Sequence, residues 1–400
     1  MIADKKRKIL EEHICENSLL ILIGRSEQIR NGDVYYPFRQ DSDMILLTGA
    51  HVPDIRLVGC KRDGKMIWTI YSDEITEREW VWGTSRVAHA DLRAKTGIED
   101  IREMSHFSHD VASLEQTSEK VYIRTLDETT LPSSSCREKY LPLEPLLVGL
   151  RLIKLPEEVE CIRRAIAVTK LAYEEVRANI IPWMYEYEIE ALIAGVYRSY
   201  HLTEAYPTIV ASGPSACTLH YTRHDRMIEA WDLVLVDFWA EHEGYAADIT
   251  RVFAVDGRFT PRQLAVYDSV LAVKSYAESL IKPWVKKSDY EKKVRARMNE
   301  ELVKLELFPT NPQSSFHSNS TLAGELTETE SRKYYPHSTS HFLGLDVHDV
   351  GSREEILAPG MVLTCEPGIY IPEEGIGIRL EDDILITEDG CENLSKSIPL

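Results

Sequence analysis

Two predicted β-hairpins in the C-terminal half carry an acidic residue in each of their apolar strands, and this feature restricts the fold most. In the first, the apolar segment 232–240 contains Asp237, and the chain returns through Asp248. A turn at His242 and Glu243 would set the two aspartates directly opposite each other, with Cβ atoms about 4.5–5.5 Å apart. Because two carboxylates this close repel each other, the sequence predicts a positive charge between them.

The second predicted hairpin repeats this arrangement. A strand-like segment with Glu366 is followed by one with Glu381, and a turn at Glu373 and Glu374 would place these two glutamates opposite each other. Since side chains alternate between the faces of a strand, a register slip of one or two residues would separate either pair. A single acidic residue in a strand is typical of an edge or a cross-strand salt bridge, whereas two hairpins with facing acids favour a cation site.

Histidine supplies a further ligand type near these acids. Of the 13 histidines, seven lie between residues 220 and 348, namely His220, His224, His242, His317, His337, His341 and His348. Four carboxylates and one neutral imidazole can hold two divalent cations about 3.5–4 Å apart, as in binuclear hydrolases. Oxygen-rich ligation favours Mn²⁺-like hard ions over a zinc–thiolate site.

Two nearby features are not assigned to the metal site. Cys365 adjoins Glu366, but strand alternation directs its thiol to the other face. The Lys/Arg run at 286–297 is typical of a solvated helix face.

Composition excludes several classes of protein. A chain of 400 residues predicts two domains. Its 46 Lys and Arg against 65 Asp and Glu give a net charge of −19, which argues against nucleic-acid and anionic-membrane binding. The N-terminus lacks a signal-peptide core, and no apolar run approaches the roughly 20 residues of a membrane span. The dispersed cysteines, without a CxxC pair, are expected of a reduced, cytoplasmic protein.

We place a domain boundary near residue 150. Residues 1–150 are predicted to form a smaller α/β domain, and residues 151–400 an α+β domain with a mainly antiparallel sheet and flanking helices. The predicted strands of the first domain are Leu19–Ile23, Arg56–Cys60, Met66–Tyr71 and Val121–Thr125. The predicted helix starts in the second are Pro156 and, from capping boxes, Thr260 and Ser288. The predicted loops are residues 131–135 and 311–333.

The C-terminal motifs resemble those of the "pita-bread" metallopeptidases of the creatinase/methionine-aminopeptidase superfamily, and most closely those of the Xaa-Pro aminopeptidases, or aminopeptidase P. The matching segments are TLHYT (218–222), VD to DITR (236–251), PHSTSHFLGLDVHD (336–349), EPGIY (366–370) and GIGIRLEDD (375–383). Residues 38–49 are similar to the signature of the family's first domain. The resemblance spans nearly the whole chain. It implies a pita-bread fold for residues 151–400, and a first domain that restricts access and makes oligomer contacts.

The resemblance also implies a role for each matching residue. The metal ligands would be Asp237, Asp248, His341, Glu366 and Glu381, with Asp248 and Glu381 bridging two divalent ions. The catalytic residues would be His220 and His348, at the scissile carbonyl, and Glu366, as a proton shuttle. The substrate-binding residues would be Tyr206, His337 and Arg379. The implied cofactor is a pair of Mn²⁺ ions, with Zn²⁺, Co²⁺ or Fe²⁺ as alternatives.

The implied reaction is hydrolysis of the N-terminal Xaa-Pro bond of short peptides by a hydroxide that bridges the two metal ions. The implied partners are peptides with proline at the second position and further copies of the chain, in a homodimer or homotetramer. The family usually has glycine where Ser338 and Ala247 stand. Neither change removes a ligand, but Ser338 lies among pocket residues, so we expect it to narrow the choice of substrate.

Three alternatives share parts of this pattern. Prolidase, a dipeptidase, has the same ligands, but Thr339 and Ser340 ahead of His341 favour aminopeptidase P. A metal-free binding protein on the same fold is disfavoured because every ligand is retained. A creatinase-type amidinohydrolase is disfavoured because that branch works without this metal set.

Overall fold

The computed structural model describes residues 1–130, 137–308 and 326–400. The chain divides into two compact units, Met1–Arg151 and Leu152–Leu400. The predicted loop at 131–135 and most of the predicted loop at 311–333 lie outside the described residues. No helix in the described ranges is long and apolar enough to cross a membrane.

The first unit is built on a mixed sheet of six strands in the order β6-β5-β4-β1-β7-β8. The strands of this unit are β1 Ser18–Ile23, β2 Ile29–Asn31, β3 Val34–Tyr35, β4 Arg56–Arg62, β5 Lys65–Tyr71, β6 Asp100–Arg102, β7 Lys120–Ile123 and β8 Tyr140–Pro142, of which β2 and β3 form a separate two-stranded sheet. Its helices are α1 Ile2–His13, α2 Ser42–Thr48, α3 Glu77–Trp82, α4 His89–Thr96, α5 Phe107–Thr117 and α6 Glu144–Leu152. The four predicted strands are confirmed as β1, β4, β5 and β7. The central strand β1 is buried almost throughout, as expected of an apolar strand with neighbours on both sides.

In the second unit, two groups of helices are each followed by a group of short strands. The helices are α7 Pro156–Asn179, α8 Glu186–Ser199, α9 Pro261–Leu280, α10 Lys287–Lys304 and α11 Glu328–Ser331. The predicted starts at Pro156 and Thr260 are confirmed. Thr260 Oγ1 accepts from the backbone N–H of Gln263 at 3.2 Å, and Gln263 Oε1 accepts from the N–H of Thr260 at 2.8 Å. This reciprocal capping box satisfies two N–H groups that the helix itself leaves unpaired.

The capping box predicted at Ser288 is wrong. The N-cap residue of helix α10 is Lys286, two residues earlier than predicted, and no side chain caps the helix. The carboxylate of Glu291, which the prediction used for the cap, instead accepts from the backbone N–H groups of Thr339 at 2.9 Å and Ser340 at 3.1 Å. These two donors lie in an irregular segment with no ladder partner, so they compete successfully for the carboxylate.

The strands of the second unit form small antiparallel sheets. They are β9 Thr203–Glu204, β10 Ile209–Ser212, β11 Leu233–Phe238, β12 Ala240–His242, β13 Tyr245–Ala246, β14 Ile249–Ala254, β15 Val362–Cys365, β16 Gly368–Ile371, β17 Ile376–Arg379, β18 Asp382–Ile386 and β19 Cys391–Asn393. They are ordered β10-β11-β14, β13-β12-β9, β15-β18-β19 and β16-β17. The pairings within each sheet are antiparallel, which confirms the predicted α+β class of this unit.

The register of the first hairpin differs from the prediction. Asp237 pairs with Thr250, not with Asp248, so the ladder is shifted by two residues. The turn lies at Glu243 and Gly244, both with positive φ (53° and 84°). A two-residue hairpin turn of this kind needs left-handed conformations, and the glycine supplies one without steric cost. This local requirement overrides the alignment of the two aspartates.

The register of the second hairpin is confirmed. Gly368 pairs with Arg379 in one ladder, and Cys365 pairs with Asp382 in the next. Glu366 and Glu381 occupy the same register between these two ladders. The glutamates therefore face each other at a break in the sheet, where their backbones are free of regular ladder bonds.

Candidate metal centre

All ten predicted site residues line one cavity of about 870 Å³ in the second unit. They are Tyr206, His220, Asp237, Asp248, His337, His341, His348, Glu366, Arg379 and Glu381. Three of the acids lie where strands are interrupted: Asp248 precedes β14, Glu366 separates β15 from β16, and Glu381 separates β17 from β18. Interrupted ladders let these side chains converge although Asp237 and Asp248 are not paired. The backbone N–H of Asp248, for example, donates to Asp383 Oδ2 at 3.2 Å.

Three of these side chains come together as a possible metal-binding cluster. Asp248, His341 and Glu381 each offer a ligand atom, and these atoms lie within 4.8 Å of one another. His341 Nε2 is 3.2 Å from Asp248 Oδ2 and 3.5 Å from Glu366 Oε1. Asp237 Oδ1 is buried and accepts no hydrogen bond from the described residues. A buried carboxylate oxygen without a donor fits a cation ligand, and the set of oxygens with one nitrogen fits hard divalent ions.

Arg379 is the positive charge among the acids. Its Nη2 donates to Asp237 Oδ2 at 2.6 Å, and its Nε lies 3.7 Å from Glu381 Oε2. Nε also donates to Thr250 Oγ1 at 2.9 Å, and that hydroxyl donates to Glu381 Oε2 at 2.5 Å. Sequence reasoning missed Thr250, although its place opposite Asp237 in the ladder follows from the corrected register. One guanidinium therefore orients two of the acids, directly and through a threonine.

The acids carry more negative charge than Arg379 offsets. Burial raises the pKa of Asp248 well above its ordinary value, and the neighbouring charge of Asp237 raises it further. Burial, followed by the charge of Asp248, raises the pKa of Glu381 in the same direction. Burial also raises the pKa of Glu366. Such shifts mean that ionisation of these groups is costly without additional positive charge. Divalent cations would supply that charge.

His337 and His348, at the edge of the acid cluster, are neutral at pH 7. Burial, and then the charge of Arg379, lowers the pKa of His337 to about 3. Its Nδ1 lies 2.8 Å from the carbonyl oxygen of Ser338, so this nitrogen carries the proton and Nε2 accepts from the Tyr370 hydroxyl at 2.8 Å. Burial, and then the charge of His341, lowers the pKa of His348 to about 4. These rings therefore act as neutral hydrogen-bonding groups.

The remaining predicted residues also face the cavity. The rings of His348 and His341 lie 4.2 Å apart between centroids, and His220 lines the same wall as His348. The hydroxyl of Tyr206 donates to Asp237 Oδ2 at 3.0 Å and to Asp248 Oδ1 at 3.1 Å.

Sequence reasoning missed three further residues of the cavity region. Thr364 Oγ1 accepts from the backbone N–H of His341 at 3.1 Å and lies 3.3 Å from Glu366 Oε1. The Tyr370 hydroxyl accepts from Arg379 Nη1 at 3.1 Å. Lys287 lines the cavity with 5% of its surface exposed, so the prediction of a solvated helix face is wrong at this residue. Strand alternation indicates the inward position of Thr364, but no local signal indicates the burial of Lys287.

Comparisons with known proteins agree with the resemblance noted in the sequence. Residues 160–388 match the model of metallopeptidase family M24, and residues 3–122 match the aminopeptidase P N-terminal domain. Xaa-Pro aminopeptidase of Escherichia coli (strain K12) is 32% identical over 424 residues, which cover 98% of this chain and 94% of that protein. Xaa-Pro aminopeptidase of Haemophilus influenzae is 33% identical over 405 residues, covering 96% and 91%.

Solved structures give the same result. Aminopeptidase P from E. coli with the inhibitor Pro-Leu has a TM-score of 0.88 and 32% identity, covering 100% of this chain and 95% of that one. Proline aminopeptidase P II from Yersinia pestis has a TM-score of 0.89 and 31% identity, covering 100% and 96%. These similarities extend over both units. The chain therefore belongs to metallopeptidase family M24 and is a hydrolase of the aminopeptidase P group.

Proposed function

We propose that this protein is a Xaa-Pro aminopeptidase, which removes the first residue of peptides that have proline at the second position. The proposed ligands of its two divalent cations are Asp237, Asp248, His341, Glu366 and Glu381. The observation that carries the proposal is the convergence of four carboxylates and one imidazole on a single cavity, with one buried guanidinium among them. Cavities that bind small ligands commonly have volumes of about 300–1,000 Å³, a range that includes this one.

The bound cations supply Lewis-acid activation of water and of the peptide carbonyl. The chain's own residues orient the substrate and carry its protons. Glu366 has two oxygens, of which Oε1 lies 3.5 Å from His341 Nε2 and Oε2 lies 3.5 Å from His337 Nδ1. One oxygen can thus serve as a ligand while the other moves a proton to the leaving proline nitrogen.

The neutral rings of His337 and His348 suit the substrate's uncharged peptide groups. His220 and His348 are proposed to donate hydrogen bonds to the scissile carbonyl oxygen, where negative charge develops during the reaction. His337, with Tyr206, is proposed to enclose the proline ring. Arg379 is a positioning residue, because it contacts Asp237 and Glu381 rather than the reacting atoms. The free amino group of the substrate is attracted to the acid cluster.

Three finer assignments accompany the proposal. Mn²⁺ is the preferred ion because oxygen ligands dominate the donor set. A homodimer or homotetramer is expected, in which the first unit restricts access to the site and contacts other subunits. A cytoplasmic location is supported by the cysteines, which are free wherever the structure describes them.

The test is hydrolysis of Ala-Pro-Ala by the full chain, with and without added Mn²⁺ after treatment with a chelator. We expect Mn²⁺ to restore release of alanine, and Asp248→Ala or Glu381→Ala to abolish it. Wild-type turnover in either variant would contradict the ligand assignment. Hydrolysis of the dipeptide Ala-Pro but not of Ala-Pro-Ala would identify a prolidase instead, which the names of the relatives do not favour.

A further inference from the structure

The cavity has a second charged region, formed by Lys287 and Arg353. Lys287 is the first residue of helix α10, and its side chain is only 7% exposed. Arg353 reaches the cavity from the segment before β15, and its Nη2 donates to Ser338 Oγ at 3.2 Å. The acid cluster and these two cations therefore line one cavity, with Lys287 buried in its wall and Arg353 exposed to solvent.

The Lys287 ammonium group has no hydrogen-bond acceptor among the described residues. Its nearest carboxylate oxygen is Glu291 Oε1, at 3.8 Å, which exceeds hydrogen-bonding distance. That carboxylate is already committed to the backbone N–H groups of Thr339 and Ser340. The remaining contact is with the ring of Phe342, whose centroid lies 5.8 Å from Nζ. A largely buried ammonium group without an acceptor from the protein favours an anion in the cavity.

These cations lie on the side of the cavity where the leaving group is expected. Ser338, which holds Arg353, directly follows His337, and His337 Nδ1 is 3.5 Å from Glu366 Oε2. Lys287 Nζ lies 3.8 Å from Glu291 Oε1, and the Glu291 carboxylate accepts from the backbone N–H groups of Thr339 and Ser340, which directly follow Ser338. Lys287 therefore lies on the same side of the cavity as Ser338 and Arg353.

We propose that Lys287 and Arg353 bind a carboxylate of the residue that follows proline in the substrate. This carboxylate is either the C-terminal group of a tripeptide or the acidic side chain of a longer peptide. The inference rests on the proposed aminopeptidase function. Ser338 takes part because its hydroxyl accepts from Arg353, whereas a glycine at this position would offer no side-chain acceptor.

The experiment compares two matched pairs of peptides with the Mn²⁺-loaded full chain. Ala-Pro-Ala and its C-terminal amide differ only in the α-carboxylate, and Ala-Pro-Glu-amide and Ala-Pro-Gln-amide differ only in the side-chain carboxylate. We expect KM to be about tenfold lower for the carboxylate member of at least one pair, which is the size of a charge-assisted hydrogen bond. The kcat should be similar within the pair, because the carboxylate is bound equally before and during the reaction.

Substitutions at Lys287 and Arg353 test whether these side chains cause the preference for a carboxylate. Lys287→Met should reduce the tenfold preference to less than about twofold, whereas Lys287→Arg should retain most of it. Arg353→Gln should reduce the preference in the same pair of peptides. The matched control is Lys286→Gln, since Lys286 is the adjacent lysine, is 43% exposed and pairs with Glu354. We expect this control to keep the full preference.

The outcomes separate this inference from the proposed function. Hydrolysis of all four peptides with equal KM within each pair would overturn the carboxylate site and leave the aminopeptidase function intact. A full preference in Lys287→Met would overturn it as well. Failure of the Mn²⁺-loaded wild type to cleave any of the four peptides would contradict the proposed function itself.

Discussion

Replacing Arg379 with methionine tests the electrostatic account of the site. The arginine is 5% exposed, and its guanidinium group bonds to Asp237 at 2.6 Å, to Thr250 at 2.9 Å and to Tyr370 at 3.1 Å. Methionine preserves much of the length and apolar volume of the side chain but donates no hydrogen bond. The substitution therefore leaves the Asp237 carboxylate buried beside other acids without its cation.

The expected loss of unfolding free energy depends on whether metal is present. Breaking a buried ion pair by removing one partner costs about 3–5 kcal/mol, so the metal-free protein should lose about that much free energy of unfolding. In the metal-loaded protein the cations offset the charge of the carboxylates, and the loss should approach the cost of the two bonds to the hydroxyls of Thr250 and Tyr370, about 1–3 kcal/mol. Adding metal should therefore restore part of the stability that the substitution removes.

Urea unfolding of wild type and Arg379→Met, in chelator and in saturating Mn²⁺, measures both losses. The control is Arg223→Met, which removes a guanidinium from an exposed pair with Asp225, where Arg223 is 76% exposed. We expect this control to unfold at the wild-type urea concentration under both conditions. A loss below about 1 kcal/mol for the metal-free Arg379 variant, or equal losses with and without metal, would refute the reasoning.

Other perturbations test neighbouring parts of the site. In the metal-free protein the pKa values of Asp248 and Glu381 are raised, so stability is full below the ordinary carboxyl range and falls as the pH rises through the raised values. The increase in Tm on adding Mn²⁺ should therefore grow as the pH is raised above the ordinary carboxyl range, and an increase that does not depend on pH would contradict this account. Glu291→Gln removes one of the two acceptors that hold the backbone ahead of His341, so calorimetric Mn²⁺ affinity should fall about tenfold; unchanged affinity would exclude this role. Thr250→Val removes the hydroxyl that donates to Glu381, and kcat should fall about tenfold with an unchanged circular dichroism spectrum.

Local sequence signals predicted those features that depend on a few neighbouring residues. Helix α7 begins at Pro156, and helix α9 begins after Thr260, which forms reciprocal bonds with Gln263. In each case the signal lies within the first turn of the helix. The second hairpin register follows from the Pro372–Gly375 turn and places Glu366 opposite Glu381. The turn closes over four residues, so no distant contact is needed to set it.

The predictions of the first hairpin register and of the Ser288 cap failed for different reasons, one local and one distant in the chain. The first hairpin turns at Glu243 and Gly244 because the turn requires positive φ, and Asp248 then reaches the cavity from a ladder break rather than from a paired position. The cap predicted at Ser288 fails because Glu291 binds the backbone of residues 339 and 340, about fifty positions away in the chain. Sequence spacing contains no information about such a partner.

The sequence by itself determined the chemistry that is available: four acids and one histidine with the donor atoms of a hard-cation site, and the family motifs around them. Only the tertiary structure decided how these groups act on one another. The distance from His341 to Asp248 depends on packing between segments almost one hundred residues apart. The burial of Lys287 likewise depends on how helix α10 lies against the cavity. Charge interactions strengthen as water is excluded, so the pKa shifts of the acids and the unpaired ammonium group arise only when the fold encloses them.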